Sequence, residues 1–210
     1  NNPVLHNSSY VTPDRFYVNL SYHDKGDNHF SLFYSSWRGG FNYSYMYDND
    51  LNGDNYNYDA IYIPTKKDVA DKKVNFATPD DAERFFAFAA KDAYLSKHMG
   101  EYAEAYSVYN PWVHRVDFHF AHDFKVKVAG TKNVLRLSFD IENVLNLFND
   151  SWGVSKQMNP ELKSGRILVV DRIGSDGIPV ISVPKAIHGN TQTWTDVKNI
   201  GQAWSAQIGL

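Results

Sequence analysis

The chain has no cysteine among its 210 residues. That removes disulfide frameworks, thiolate zinc sites and thiol nucleophiles together, and it is compatible with an oxidising compartment. Long hydrophobic runs are also missing. Apolar residues make up 43% of the chain, yet no stretch approaches the roughly 20 consecutive apolar residues a membrane helix needs, so crossing by helices is excluded. Charge of one sign is not in excess. A formal net charge of −3 gives no electrostatic case for nucleic acid. The N-terminal Asn-Asn-Pro-Val-Leu-His has neither the basic nor the apolar region of a signal peptide, which leaves a mature end or a cut end, and a cut end is expected. What the chain has in abundance is aromatic side chains, at 15%, and their placement is informative.

From Arg15 to His23, Phe16, Val18, Leu20 and Tyr22 alternate with Tyr17, Asn19, Ser21 and His23. Period two predicts a strand. Asp24-Lys25-Gly26-Asp27-Asn28 is a turn, after which Phe30, Leu32 and Tyr34 continue the alternation, so the pair reads as a hairpin. Beyond Gly39-Gly40 the aromatic phase shifts to Phe41, Tyr43, Tyr45 and Tyr47, as a glycine bulge in one long strand would produce. In the middle, Val116, Phe118, Phe120, Phe124, Val126 and Val128 share a face opposite Arg115, Asp117, His119, Asp123, Lys125 and Lys127, and only His122 breaks the apolar row. After a turn at Ala129-Gly130-Thr131-Lys132, Leu135, Leu137, Phe139, Ile141, Leu145 and Leu147 are set against Arg136, Ser138, Asp140, Glu142 and Asn146. Trp204, Ala206, Ile208 and Leu210 repeat the pattern. Alternation alone fits a soluble sandwich as well as a membrane barrel. These runs, however, match the ~9–11 residues of a membrane strand better than the ~5–6 of a globular one. Charges also fill one face and avoid the other, as a lumen and a lipid face require.

The connections differ sharply in length. Two turns are very short, whereas residues 48–110 and 148–199 form long connections, the asymmetry of periplasmic turns and extracellular loops. The first contains a helix, with Thr78 as N-cap, Pro79 at its first position, Asp80 and Asp81 in the first turn, then Ala82, Phe85, Phe86 and Ala89 at helical spacing. The second contains a hairpin, Arg166–Val170 and Val180–Val183 around Gly174-Ser175-Asp176-Gly177. Trp112, Trp152, Trp194 and Trp204 fall at or near strand ends, where an aromatic girdle would sit, and each reads equally as a packing residue of a sandwich. About five crossings cannot close a barrel, whose smallest natural forms have about eight strands. An open edge in lipid would strand backbone polar groups, so further strands are expected from elsewhere. The expected fold is therefore all-β, an antiparallel transmembrane β-barrel segment spanning 1–210, with long extracellular loops and one short loop helix.

Residues 115–124 (Arg-Val-Asp-Phe-His-Phe-Ala-His-Asp-Phe), 137–146 (Leu-Ser-Phe-Asp-Ile-Glu-Asn-Val-Leu-Asn) and Trp152-Gly153 together resemble the C-terminal strands of TonB-dependent outer-membrane receptors. The resemblance is to the Oar-like group of large receptors that carry a carboxypeptidase-regulatory-like domain. Residues 50–54, Ile61-Tyr62-Ile63-Pro64, Tyr94-Leu95 before Gly100-Glu101-Tyr102-Ala103, Pro111-Trp112 and residues 204–210 extend it over most of the chain from about Phe16 onward. There are two departures. Ala105-Tyr106 stands where an Arg-Asn pair is expected, and the expected closing Arg-Tyr-aromatic-Phe does not follow Leu210. The resemblance implies the C-terminal part of a barrel of about twenty-two strands with a plug, importing a bulky nutrient with energy passed on by TonB. It further implies as partners the remaining strands and plug, outer-membrane lipid, TonB through the missing N-terminal part, and a surface lipoprotein. The location is then the outer membrane of a Gram-negative bacterium, and the chain itself is expected to perform no covalent chemistry.

Local chemistry is concentrated in residues 48–59. Asp48, Asp50, Asn52, Asp54 and Asp59 place oxygen side chains at loop positions 1, 3, 5, 7 and 12, with Gly53 at 6, close to the EF-hand pattern for Ca²⁺. Asp59 replaces the usual bidentate Glu and no flanking helices are predicted, so an Asn/Asp-rich turn bonded to itself stands beside the calcium reading. Tyr43, Tyr45, Tyr47, Tyr56 and Tyr58 are candidates for a ligand-stacking platform, or for mutual packing of an aromatic hairpin. His119 and His122 project to opposite faces of one strand. Asp140 and Glu142 share a face, either as an acid-base pair in a β-rich hydrolase or as wall charges paired with Arg115, Lys125 or their neighbours. The competing function class is a secreted, calcium-stabilised β-sandwich module that binds carbohydrate.

Overall fold

The structure is a computed structural model and describes residues 5, 8–39, 41–189 and 191–210. In chain order its elements are β1 (Arg15–His23), β2 (Asn28–Trp37), β3 (Met46–Tyr47), α1 (Lys66–Ala70), β4 (Asn75–Phe76), α2 (Pro79–Ala89), β5 (Val113–Val128), β6 (Thr131–Glu142), β7 (Lys156–Met158), β8 (Arg166–Ile173), β9 (Pro179–Ser182), β10 (Trp194–Asp196) and β11 (Ser205–Gly209). The chain is mostly β with few helices, and the described residues form no closed barrel. It divides into two compact units.

The sheet unit comprises Thr12–Gly39, Pro111–Lys156 and Asp196–Leu210. Its five strands lie in the order β1-β2-β5-β6-β11, every neighbouring pair antiparallel. The alternation of apolar and polar residues sets the register, because a one-residue slip would turn every side chain to the other face. Here two apolar rows run unbroken across all four ladders, while toward the β5–β6 turn Val126 meets Asn133 and Val128 meets Thr131. Leu20, Leu32, Phe118, Ile141 and Ala206 form one continuous row, and Tyr22, Phe30, Phe120, Phe139 and Ile208 form the next.

The other unit contains Gly40–Asn110 and Gln157–Thr195, together with Asn1–Val11. The two long connections, expected as separate loops, fold jointly here around one hydrophobic core. Ile167, Leu168, Val170, Ile181 and Val183 on and beside β8 and β9 pack with Tyr45, Tyr47, Ile61, Ile63, Phe85 and Leu95. The strand order is β3-β8-β9-β4, with β8 and β9 antiparallel and the two short outer strands parallel to their neighbours. The near-continuous apolar runs of β8 and β9 are those of strands buried on both faces.

Two local expectations change. The bulge expected at Gly39-Gly40 lies partly outside the described residues, but the one long strand around it is not present. β2 ends at Trp37, and the next strand is the two-residue β3 in the other unit, while Gly40 lies outside the described residues. The chain also has a second helix, α1, built on a capping box in which Thr65 accepts from the Asp68 N–H and Asp68 accepts from the Thr65 N–H. A capping box of this kind satisfies orphan donors on both sides of the helix start. α2 follows the predicted design, with Thr78 accepting from Asp81 N–H and Pro79 opening the helix.

Candidate functional site

The sheet unit carries two chemically distinct faces. On the apolar face, Leu20 is 64% exposed and Ile208 73% exposed, and neither Phe118 nor Phe139 is buried. Ring packing within the face is close, with the Phe30 and Phe120 centroids 5.0 Å apart. A row of this size left open is unusual for a surface bathed in water. His122 is the polar exception, and its Nδ1–H donates to Asn28 Oδ1 at 2.8 Å while the ring meets Phe124 edge-on at 4.4 Å.

The opposite face is polar along the same registers, with Ser21, Ser31, His119, Asp140 and Gln207 in one row. His119 Nδ1 donates to Asp140 Oδ1 at 2.5 Å. Asp123 takes both Arg136 Nε and NH2, at 2.6 and 2.8 Å, the bidentate geometry that makes such pairs strong. Lys125 reaches Asp27 at 2.6 Å. These partners are not the ones expected for Asp140 and Glu142. Asp140 lies directly opposite His119, Glu142 accepts from the Ser205 hydroxyl at 3.3 Å, and the Arg115 guanidinium lies over Trp37 and donates to Gly153 O. Ser31, His119 and Asp140 fall in one row, yet the Ser31 hydroxyl donates to Asn19 Oδ1 at 2.9 Å. The row therefore lacks the Ser-to-His hydrogen bond that would activate a nucleophile.

At the end of β6 the motif residues Asn143, Asn146 and Gly153 close the strand. Asn143 is buried with φ +53°. Its N–H donates to Asp117 Oδ1 at 2.7 Å and its Nδ2 to Gln202 O at 2.8 Å. Asn146 donates to the carbonyls of Asp150 and Trp152 and accepts from Trp204 N–H. At Gly153 (φ +67°) a Cβ would lie 1.8 Å from Asn143 Oδ1, so only glycine fits. This network also corrects the expected strand. Leu145 and Leu147 belong to a 3₁₀ turn after Asn143 and do not continue β6.

The five candidate tyrosines of the other unit separate. Tyr45 and Tyr47 lie in the core. Tyr45 donates to Asp92 Oδ2 at 2.7 Å, and burial, with the Asp92 carboxylate beside it, pushes its phenol well above the ordinary value. Burial pushes Tyr47 up to about 12, while its oxygen accepts from Tyr62 N–H. Tyr43 is half-buried, edge-on to Trp194 at 5.9 Å. Tyr56 and Tyr58 are 66% and 72% exposed. Of the five, these two are open to a ligand, and the fully buried pair cannot join them in a platform. Asp92 escaped sequence reasoning. It is buried and also accepts from the Thr193 hydroxyl and the N–H groups of Tyr94 and Leu95. The only local signal was an Asp ahead of a short helical turn.

The oxygen-rich loop is bonded to itself. Asp50 accepts from the N–H groups of Asn52, Gly53 and Asn55, and against the desolvation that pushes its carboxyl up, these donors hold it below its usual range. Asn52 Oδ1 accepts from Asp54 N–H, and Asp54 from Tyr56 N–H. Asp59 accepts from Leu51 N–H and Asn52 Nδ2. Asp48 pairs instead with Lys163 and Arg166. A hard cation would be held by Asp50, Asn52, Asp54 and Asp59. Among the described residues, no three His, Cys, Asp or Glu side chains converge as a metal site. No described helix is long and apolar enough to cross a membrane, a statement that does not bear on strands. The chain matches no protein-family model, no curated protein and no solved structure.

Proposed function

We propose that the five-stranded sheet is a stretch of outer-membrane β-barrel wall from a TonB-dependent receptor, and that the unit built from the long connections is its ligand-facing extracellular part. In this reading the rows through Leu20 and Tyr22 touch acyl chains and the row through His119 and Asp140 lines a watery lumen. The observation that carries it is the uninterrupted apolar rows across all five strands, none of whose residues is buried, opposed by polar ones. The free edges of β1 and β11 need further strands, which the rest of the receptor would supply together with its plug. TonB would act through that plug, a bulky nutrient would be the cargo, and a surface lipoprotein would be a further partner at the extracellular side. Of the five candidate tyrosines, Tyr56 and Tyr58 are exposed and would be the ones to meet such a ligand.

The test is the quenching of Trp204 and Tyr fluorescence by lipids brominated along the acyl chain, with the protein folded in bilayers. Strong quenching that deepens toward mid-chain bromines is expected. Full folding in buffer without detergent, with no quenching, would overturn the proposal and favour a secreted β-sandwich module.

A further inference from the structure

The β5–β6 hairpin extends past its neighbours. β2 pairs with β5 only as far as His122, whereas β5 and β6 stay paired to Val128 and Thr131. The overhang of residues 123–128 is about 20 Å of ribbon. One face carries Phe124, Val126, Val128 and Leu135, all exposed. On the other face, Lys127 lies directly opposite Lys132, and Lys125 precedes Lys127 by two residues. Like charges directly opposite on a ladder destabilise it. Among the described residues neither Lys127 nor Lys132 has an ion-pair partner, whereas Lys125 and Arg136 on the same face have Asp27 and Asp123. The chain as a whole is net negative at −3, so two uncompensated ammonium groups facing each other stand out against their surroundings.

We infer that the Lys125, Lys127 and Lys132 face of this ribbon is a docking surface for an extended acidic polypeptide segment. Carboxylates two residues apart in an extended chain repeat at about 6.6 Å, the spacing at which β5 presents Lys127 and Lys125, the latter by exchanging Asp27 for the incoming carboxylate. Lys132, directly across from Lys127, faces the same carboxylate. An anionic membrane surface fits less well. The lysines point away from the apolar row, so a bilayer covering Phe124 and Val126 cannot also present phosphates to them. The inference rests on register and charge and holds whether or not the sheet is a barrel wall.

The test uses the full chain in the medium that supports its folding. A fluorescent peptide of about eight residues alternating Glu and Thr is titrated at low and high salt and compared with its Lys/Thr counterpart. Salt-sensitive binding of the acidic peptide is expected, weakened at least about tenfold in Lys127→Glu/Lys132→Glu. The single Lys127→Glu replaces repulsion by a cross-strand ion pair, so it should raise thermal stability while weakening the peptide. A purely structural role would not move these two readouts in opposite directions. Equal affinity in wild type and double variant, or no binding at low salt, overturns the inference. So does tighter lysine-dependent binding to phosphatidylglycerol vesicles than to the peptide.

Discussion

The two units dispose of apolar surface in opposite ways. Every residue of the hydrophobic core cluster belongs to the unit built from the long connections. The sheet unit has most of its large apolar side chains in the open, among them Phe16, Leu20, Phe124, Leu135 and Ile208. In the first unit, burial drives folding at roughly 25 cal/mol per Å² of apolar surface removed from water. In the second, apolar rows are aligned but uncovered within the unit, so the ladder hydrogen bonds and cross-strand pairs hold it. Similar residue types thus serve as core in one place and as a contact surface in the other, and the difference lies in whether strands are covered on both faces.

Core truncation breaks this comparison most directly. Phe85→Ala, at a fully buried ring packed on Phe76 and Phe86, should cost about 3–5 kcal/mol in chemical denaturation followed through the unit's tyrosines. Ile208→Ala, on the open row, should cost well under half as much when both variants are measured in the medium that supports folding of the full chain. Equal losses would mean that the exposed row is covered after all. Next comes Phe120→Arg, in the middle of the row from Tyr22 to Ile208. Folded into bilayers, the protein should lose about 2–4 kcal/mol. A loss confined to a few tenths would show that the face meets water.

Which parts were legible in the sequence follows from the range of the interactions. β1, β2 and β5 could be placed because period two persists for nine or more residues, and α2 because its cap, proline and apolar spacing agree. The end of β6 was misplaced because Leu145 and Leu147 happen to continue the alternation, while the left-handed Asn143 that stops the strand has no periodic signature. The joint folding of the two long connections was not legible. Its sheet pairs Asn75 with Val180 and Met46 with Arg166, and two-residue strands carry no pattern from which such distant pairing could be read. The same distance hid Asp92, whose partners Tyr45 and Thr193 are remote in the chain. The spacing of Asp50, Asn52, Asp54 and Asp59 was plain and left a cation loop and a self-bonded turn side by side; only the fold shows which loop N–H groups meet which of these oxygens.

Smaller effects sharpen the contrast within each unit. Gly153→Ala forces a Cβ onto Asn143 Oδ1 at positive φ, so about 1–3 kcal/mol of stability should disappear from the sheet unit. Rescue by Asn143→Ala, which vacates the space, would confirm the contact, and an additive double variant would contradict it. In the other unit, Asp68 gives a pH signature. The Thr65 hydroxyl first and the Thr65 N–H next hold its carboxyl well below the usual range, against desolvation, with Lys73 and Tyr62 also donating. A depressed folded-state value means that the unfolded chain binds the proton first. The contribution is therefore complete above about pH 4 and is lost as pH falls through the folded-state value. Asp68→Asn should flatten the acid limb of the stability curve for this unit, and an unchanged limb would assign the acid sensitivity elsewhere.

The smallest expected effect concerns calcium. In an EF-hand-type site, side-chain oxygens converge on the ion at about 2.3–2.6 Å, so Asp50, Asn52, Asp54 and Asp59 would have to turn toward one centre and give up loop N–H bonds wherever the two geometries conflict. Each surrendered bond costs about 1 kcal/mol, more where the acceptor is charged. The ion must offset several at once before any net affinity remains, and Asp48 would also have to leave Lys163. Calorimetric titration should accordingly register no binding at millimolar calcium and no shift in the melting of the core-built unit. A stabilisation that saturates with calcium and vanishes in Asp50→Asn would show that the loop opens to coordinate the ion, and would make residues 50–59 a ligand-dependent rim on an otherwise core-stabilised unit.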